Sequence, residues 1–251
     1  MKKIEDICVI VQGRLSSERC PKKMIRPFAG SNLLDKCLRL LMKCEVLPKE
    51  NIFLSVHEPE LQEIGTDLGI NVFPRSEKSA LWDGGEGAHL CDMYEWWDKL
   101  PFKYVVLINA CTPMIKPETI DGFLNYYMES DSDGLFGVIE KQNYFWNQSG
   151  KMISIWPESE TVMNTKAVEA TYEAAHCLYA GRMDLIGEGI WMGDFQKEGD
   201  IELYPMAEEE IYDIDYEWQF GLVEAIFKHV YPEWYLEAPG YMYEDWKDDM
   251  V

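Results

Sequence analysis

The sequence is short of basic residues and has no long hydrophobic run. Its 251 residues include 23 Lys+Arg against 45 Asp+Glu, a formal net charge of −22. A chain this acidic has no overall attraction for phosphate, so the charge argues against a nucleic-acid binder and against binding to an anionic membrane surface. No apolar segment approaches the ~20 residues of a membrane span, and the amino-terminal apolar stretch is too short for a signal peptide. We therefore expect a cytoplasmic protein.

Disulfide and zinc-site patterns are also missing. The seven cysteines are scattered singly, without a Cys-x-x-Cys pair, and the four histidines show no spacing typical of zinc ligands. An odd number of separated cysteines fits reduced thiols in an intracellular protein better than a disulfide framework. We predict that these thiols are free and buried.

The apolar content is nevertheless high enough for a sizeable core. Hydrophobic residues make up 47% of the chain, and its length suits one domain, which we place at residues 1–251. Apolar runs and helical spacings alternate, with predicted strands at 7–11, 52–56, 70–73 and 104–108 and predicted helices at 33–44, 59–68, 90–100 and 117–127. Further strands are predicted at 134–139, 152–156 and 176–179, and a last helix at 217–229. This order predicts an α/β fold, three-layer and Rossmann-like, with a mostly parallel sheet and helices on both faces.

Basic residues are concentrated after the first predicted strand. Residues 1–50 hold 11 Lys/Arg and 6 Asp/Glu, whereas the other 201 residues hold 12 and 39. Because ligands of parallel sheets bind at the carboxyl ends of the strands, the cations of segment 11–27, with Ser16 and Ser17 as donors, could hold a triphosphate. The alternative is a solvated basic loop. No GxxxxGK(S/T) or GxGxxG motif is present, which disfavours a P-loop NTPase and a Rossmann dehydrogenase.

Two acids near the carboxyl end form a second candidate site. In an extended segment, the side chains of Asp213 and Asp215 point to the same side and could hold one divalent cation. Mg²⁺ usually takes one or two carboxylates together with substrate phosphates, so this pair would complement a phosphate-binding loop. The alternative is that Asp215 caps the last predicted helix.

The basic loop resembles the motif (P/Q)-A-R-x-x-S-x-R-x-P-x-K of the acylneuraminate cytidylyltransferases, also called CMP-sugar synthetases. The matching residues are Arg14, Ser17, Arg19, Pro21 and Lys23. Three further blocks follow in the family's order. They are Asn109 to Met114, which resembles Q-P-T-S-P-L, Tyr172 to Tyr179, which resembles Y-x-x-x-G-A-x-Y, and Asp213-Ile214-Asp215, which matches D-I-D.

The resemblance implies an enzyme that joins CTP to an acidic sugar of the ulosonic-acid type and releases pyrophosphate. It implies the nucleotide-diphospho-sugar transferase type of α/β fold, with Arg14 and Lys23 as catalytic residues and with Mg²⁺ held by Asp213 and Asp215. The implied nucleotide contacts are Gln12, Gly13, Arg14, Ser17, Arg19, Lys23, Arg75 and Glu86. The implied acceptor contacts are Asn109, Cys111, Thr112 and Glu173.

The resemblance also implies a homodimer, formed through an arm that we expect within about residues 140–175, although a core strand there is equally consistent. Three positions depart from the family pattern: Met24 replaces an Asn, Asn109 a Gln and Ile115 an Arg. These departures make an acceptor other than sialic acid credible. They also leave two alternatives open: a same-fold glycosyltransferase or nucleotidyltransferase with a different acceptor, and a nucleotide-binding homologue without catalysis.

Overall fold

Apolar runs from both halves of the chain form one sheet. The computed structural model describes residues 1–82, 85, 87–157 and 161–233. The strands in these ranges are β1 (Ile7–Gln12), β2 (Ile52–Val56), β3 (Asn71–Pro74), β4 (Tyr104–Ile108), β5 (Gly134–Lys141), β6 (Thr171–Arg182) and β7 (Ile201–Pro205). They pair in the order β3-β2-β1-β4-β6-β5-β7. Neighbouring strands are parallel except where β6 runs antiparallel between β4 and β5, which confirms a mostly parallel sheet.

Helices cover both faces of this sheet, as predicted. They are α1 (Leu33–Leu41), α2 (Pro59–Asp67), α3 (Glu77–Ala80), α4 (Leu90–Met93), α5 (Pro117–Glu129), α6 (Met183–Ile186) and α7 (Glu217–Val230). Alternate residues of β1 point to opposite faces. Val9 packs into the cluster that contains α1, α2 and α5, whereas Ile10 packs with α6 and with Trp96 on the other face.

A smaller apolar cluster lies at the side of the sheet and fixes the last helix. Phe28 is fully buried there, and its ring makes edge contacts with Phe220 and Phe227 of α7. Ile214, also fully buried, joins the same cluster. Ile214 therefore anchors the segment that precedes α7. Its burial limits the positions that the neighbouring acids, Asp213 and Asp215, can take.

The predicted helix at 90–100 is wrong, because α4 ends at Met93. Tyr94 leaves the helical conformation with φ −108° and ψ 55°, and its ring packs 5.1 Å from that of Trp96 and 5.2 Å from that of Trp191. Trp96 is fully buried, and its indole N–H donates to Gln12 Oε1 at 3.1 Å. These tertiary contacts of large aromatic side chains outweigh the helical spacing of the segment.

The predicted strand at 152–156 is also wrong. Only Met152 pairs, in an isolated bridge with Trp146. Ile153 and Ile155 are 62% and 63% exposed, whereas the intervening Ser154 is buried and its hydroxyl bonds to backbone of residues 143 and 145. The apolar alternation here therefore marks an exposed surface, and the edge strand β7 is an element that the sequence did not predict.

The thiols are free, as predicted, and all but one of them are buried. All seven cysteines lie in described ranges and are free; Cys91 is half-buried and the other six are buried. Within those ranges no helix is both long and apolar enough to cross a bilayer. The longest, α7, has 14 residues.

Candidate active site

A cavity of about 790 Å³ opens at the carboxyl ends of the parallel strands, where a sheet of this kind binds ligands. Loops after β1, β3 and β4 and the segment before α7 form its wall. It brings together ten of the predicted site residues: Gln12, Gly13, Arg14, Ser17, Arg19, Lys23, Arg75, Asn109, Cys111 and Asp215. Residues separated by up to two hundred positions in the chain thus share one concave surface.

The basic loop after β1 is held in place by its backbone. Gly13 N–H donates to Ser55 O at 3.4 Å, and Leu15 O accepts from the N–H groups of Ser17 and Lys22 at 2.9 and 3.3 Å. Lys22 takes a left-handed conformation with φ 54°, which turns the chain back toward the cavity. The loop is therefore compact and is a wall of the cavity, unlike a freely solvated basic segment.

Lys23 joins this loop to the acidic segment before α7. Its side chain is buried, its ammonium donates to Ile214 O at 2.6 Å, and the same nitrogen lies 3.2 Å from Asp215 Oδ1. Burial works to lower the pKa of Lys23, but Cys111, Asp215 and Asp213 together outweigh it, so that the pKa lies above its ordinary value. Lys23 is thus a charged ammonium at the floor of the cavity.

Arg19 approaches the same carboxylate from the exposed side. Its Nη2 lies 2.8 Å from Asp215 Oδ2, and its guanidinium lies 5.0 Å from the centre of the Tyr216 ring. Asp215 therefore has one cation at each carboxylate oxygen. Because Arg19 is exposed, solvent screens this second pair much more than the pair with Lys23.

The two acids flank Ile214 in the segment before α7: Asp215 lines the cavity, whereas Asp213 is not among the wall residues of the described chain. Ile214 between them is buried in the cluster with α7, and its N–H donates to Cys111 O at 2.9 Å. The alternative that Asp215 caps α7 is wrong. The N-cap is Tyr216, and Gln219 Oε1 accepts from the backbone N–H groups of both Asp215 and Tyr216 at 2.7 Å.

The described residues leave one carboxylate oxygen of Asp213 without a hydrogen bond. Its Oδ1 is buried and has no hydrogen-bond partner in the described part of the chain. Burial raises the pKa of Asp213, and the nearby charge of Asp215 raises it further. A cation beside this oxygen would remove both penalties, so the donor set fits a hard divalent ion such as Mg²⁺.

The protein groups alone do not complete such a site. Across residues 1–82, 85, 87–157 and 161–233, no group of three or more His, Cys, Asp or Glu side chains could hold a metal ion. Asp213 and Asp215 would supply two oxygens, and phosphate and water oxygens would have to supply the others.

The predicted acceptor residues divide into two sets. Asn109 and Cys111 line the cavity, and the Asn109 side chain links two segments: its Oδ1 accepts from Cys111 N–H at 2.9 Å and its Nδ2 donates to His176 O at 3.2 Å. Thr112 is buried behind them, and its hydroxyl donates to Asn109 O. Glu173 lies outside the cavity wall, exposed on β6 with its Oε2 3.8 Å from Lys141 Nζ.

Glu86, a predicted nucleotide contact, lies outside the described residues. Burial raises the pKa of the Cys111 thiol to about 12, so the sulfur in the cavity wall is a neutral thiol near pH 7 and has no nucleophilic character.

His176 contacts the cavity wall in a way that the sequence did not reveal, through its backbone O, which accepts from Asn109 Nδ2. It is exposed, has a left-handed φ of 54°, and its Nδ1 lies 3.2 Å from the Tyr179 hydroxyl. It belongs to a bulge in which four residues of β6 face the single residue Gly137 of β5. No sequence pattern marks such a bulge, although strained backbone next to Asn109 is typical of a functional position.

Glu58 is the second residue that the sequence analysis missed. Its Oε1 accepts from Leu15 N–H of the basic loop at 2.7 Å. The buried Arg75 contacts the same loop, with Nη2 donating to Gly13 O at 2.6 Å. These contacts join residues from three different loops, so local sequence carried no signal for them.

The sheet order and the cavity define an α/β protein of the nucleotide-diphospho-sugar transferase type. Solved structures share this fold over most of the chain. One is CMP:2-keto-3-deoxy-manno-octonic acid synthetase in complex with CTP, which is 12% identical and covers 89% of this chain and 99% of its own, with a TM-score of 0.61. Another is a cytidylyltransferase from Leptospira borgpetersenii serovar Hardjo-bovis (strain JB197), 14% identical over 89% and 87%, with a TM-score of 0.58.

A third similar structure is 4-diphosphocytidyl-2C-methyl-D-erythritol synthase from Anaerococcus prevotii DSM 20548, 12% identical over 88% of this chain and 96% of its own, with a TM-score of 0.60. Residues 8–187 match the cytidylyltransferase family model. The chain therefore belongs to the cytidylyltransferase family, whose members are CTP-dependent nucleotidyltransferases. The matched range includes the whole basic loop, whereas Asp213 and Asp215 lie beyond it.

Proposed function

We propose that the protein joins CTP to an acidic sugar of the ulosonic-acid type, producing a CMP-sugar and pyrophosphate with the help of Mg²⁺. The observation that carries this proposal is the approach of Lys23 to Asp215 at 3.2 Å. It puts a buried cation of the phosphate-binding loop next to the acids that suit a metal. Nucleotidyl transfer needs both kinds of charge around one phosphorus atom.

In the proposed reaction, an acceptor oxygen forms a bond to the α-phosphorus of CTP. The bond from that phosphorus to the bridging oxygen breaks, pyrophosphate leaves, and the acceptor proton passes to solvent. Arg14 and Lys23 bind the triphosphate and stabilise the charge that develops on its oxygens, while Ser17 and Arg19 add donors along the loop. Asp213 and Asp215 would hold Mg²⁺, which when bound neutralises and orients phosphate oxygens.

The cytidine end of the cavity is assigned to the segment after β3. Arg14 reaches toward it, with Nη1 donating to Ala80 O at 3.2 Å. Gln12 is held there from two directions, by the indole of Trp96 and by Met93 O at 3.4 Å. We assign cytidine contacts to Gln12, Gly13, Arg75 and Glu86.

The acceptor is assigned to the side of Asn109 and the β6 bulge. Asn109 and Cys111 form the wall there. Thr112 is buried next to Cys111 in the chain, whereas Glu173 and His176 are exposed on β6 and are not among the wall residues. We propose the imidazole of His176 as a further contact for an anionic acceptor. The structure with bound CTP that shares this fold is named for a keto sugar acid. An ulosonic acid is consistent with that neighbour and with the polar character of this side.

A homodimer is part of the proposal. Residues 140–175 carry apolar side chains that are well exposed in the single chain: Trp146 at 51%, Ile153 at 62%, Ile155 at 63% and Met163 at 64%. Clustered exposed apolar residues are typical of protein–protein interfaces. A second copy of this chain is the partner that we propose for them.

The direct test is pyrophosphate release with each of the four NTPs, Mg²⁺ and a panel of acceptors. The panel contains 2-keto-3-deoxy-manno-octonic acid, N-acetylneuraminic acid and, as a polyol that carries a phosphate but no carboxylate, 2-C-methyl-D-erythritol 4-phosphate. We expect release with CTP and a keto sugar acid only. Pyrophosphate release with the polyol phosphate would show that the acceptor is a polyol phosphate and not a sugar acid. Consumption of a nucleotide sugar without pyrophosphate release would indicate a glycosyltransferase. CTP binding without turnover would indicate a non-catalytic homologue.

A further inference from the structure

The carboxylate of Glu58 bonds to the basic loop from underneath the cavity. Glu58 is half-buried and lies directly before α2. Its Oε1 accepts from Leu15 N–H at 2.7 Å, a contact between residues 43 positions apart. A carboxylate that accepts from a backbone N–H makes a charge-assisted bond, which is stronger and more directional than one between neutral groups.

Arg75 holds the same loop one peptide unit earlier. It is 6% exposed, and its Nη2 donates to Gly13 O at 2.6 Å while Nη1 donates to Ser79 O at 3.5 Å. Burial lowers the pKa of Arg75 to about 10, the charge of Glu58 works against this fall, and Arg14 adds to it. The negative charge of Glu58 thus stabilises the buried guanidinium of Arg75, which also has the like charge of Arg14 close by.

Together the two contacts fix the peptide units on both sides of Arg14. The carbonyl of Gly13 is bound by Arg75, and the N–H of Leu15 is bound by Glu58. The Leu15 side chain packs against the main core, whereas Arg14 is exposed and lines the cavity. The backbone on both sides of Arg14 is therefore fixed, and with it the point from which the Arg14 side chain, whose Nη1 donates to Ala80 O, enters the cavity.

The cluster beneath the loop also has unused hydrogen-bonding capacity. Glu58 Oε2 and Arg75 Nε are both buried, and neither has a hydrogen-bond partner in the described part of the chain. Buried polar atoms without partners are costly, and functional sites are where proteins commonly keep them. A purely structural carboxylate and guanidinium would be expected to satisfy each other at these atoms.

We propose that Glu58 is a positioning residue for the phosphate-binding loop, acting through Leu15 N–H and Arg75 to hold Arg14 toward the triphosphate. Glu58 does not contact the nucleotide in this scheme. The inference rests on the proposed function in one respect, namely that the loop binds the triphosphate of CTP. Positional errors of about 1 Å in such a group are enough to lower transfer rates strongly.

The test compares Glu58→Ala and Glu58→Gln with the control Glu60→Ala, which changes an exposed acid on the same helix. Two quantities are measured in the full chain: hydrogen exchange at the Leu15 amide by NMR, and CTP affinity by calorimetry in the presence of Mg²⁺ without acceptor. For Glu58→Ala we expect at least tenfold faster Leu15 exchange and at least tenfold weaker CTP binding. Glu58→Gln retains an acceptor oxygen but no charge, so it should preserve most of the exchange protection and weaken CTP binding only a few-fold. Glu60→Ala should change neither quantity.

The outcomes separate this inference from the proposed function. Unchanged Leu15 exchange in both Glu58 variants overturns the inference, and so does faster exchange with unchanged CTP affinity, because Glu58 would then be only structural. If the wild-type chain binds no CTP, the proposed function fails and the positioning role fails with it, whatever the exchange rates. If Glu58→Ala does not fold, Glu58→Gln decides alone: unchanged CTP affinity overturns the inference, and a few-fold loss with retained Leu15 protection supports it.

Discussion

The ammonium of Lys23 lies 3.2 Å from the carboxylate of Asp215, although the two residues are 192 positions apart. This contact joins the only strongly basic segment of the sequence to an acidic pair that the family match at 8–187 does not reach. The same nitrogen also donates to Ile214 O. The functional centre therefore depends on both ends of the described chain, and either partner can be altered separately.

We expect Lys23→Ala and Asp215→Ala each to lower kcat by at least ~100-fold, because each removes charge from the reacting phosphate region. Both variants should remain folded, since the residues lie at the cavity and outside the main apolar cluster. Pyrophosphate release measures the loss, and circular dichroism with thermal unfolding checks the fold. The control is Lys22→Ala, at the exposed position next to Lys23. A Lys23→Ala enzyme with near-normal turnover would remove Lys23 from the catalytic residues.

Asp213→Asn should abolish turnover and yet raise Tm at neutral pH. Burial and the charge of Asp215 raise the pKa of Asp213, so its ionised form is unfavourable in the folded chain, and a neutral amide of the same shape removes that cost. The readouts are pyrophosphate release and thermal unfolding in buffer that contains EDTA. Adding Mg²⁺ together with CTP, in excess over EDTA, should shift the Tm of the wild type upward more than that of the variant. Equal shifts for the two proteins would argue against Asp213 as a metal ligand.

His176→Gly should stabilise the fold while it weakens the use of the acceptor. The left-handed backbone of His176 costs a residue with a Cβ roughly 1 kcal/mol that glycine does not incur. We therefore expect the free energy of unfolding to rise by about that amount in His176→Gly and not in His176→Ala. KM for the acceptor should rise several-fold in both variants, with KM for CTP unchanged.

Gly137→Ala provides the opposite control for the same bulge. A Cβ at Gly137 would lie 2.9 Å from Met206 Sδ and 3.2 Å from Leu178 O, so this variant should lose stability by roughly 1–3 kcal/mol. An unchanged free energy of unfolding in His176→Gly would contradict backbone strain at His176. An unchanged KM for the acceptor would contradict a contact between His176 and the acceptor.

The apolar arm can be tested without any substrate. Ile153→Asp combined with Ile155→Asp puts two charges on a surface where both side chains are more than half exposed. We expect a dimer to dissociate into monomers in sedimentation equilibrium, with Tm of the monomer little changed. Leu222→Asp, at a 50% exposed position on α7, is the matched control and should leave the dimer intact. A wild-type monomer at all concentrations would refute the arm as an interface.

The parts of the fold that local pattern determines were predictable. β2 and β4 begin and end at the predicted residues, because a continuous apolar run in an α/β protein is typical of a buried parallel strand. Ile214 is buried for a similarly local reason, since it is the apolar residue between the acids Asp213 and Asp215.

The missed features all depend on contacts distant in sequence. Residues 94–100 keep a helical spacing, but the Trp96 indole bonds to Gln12 and withdraws the chain from the helix. The alternation at 152–156 has the polar Ser154 facing inward, because its hydroxyl satisfies backbone groups there. In the sequence, Glu58 does not differ from any other acid that precedes a helix; only its contact with Leu15 in the fold distinguishes it. In each case hydrogen bonds between residues that are not local neighbours outweigh the local pattern.

The burial of Ile214 has a consequence for how this enzyme could be tuned. The two acids belong to no strand; they lie in a segment whose apolar anchor is Ile214, packed against Phe28 and α7. Small changes in packing at Phe220 or Val223 would therefore shift the acids without altering any residue that contacts substrate. Substitutions on this face of α7 would therefore change turnover through the position of the acids and would leave the cavity wall unaltered.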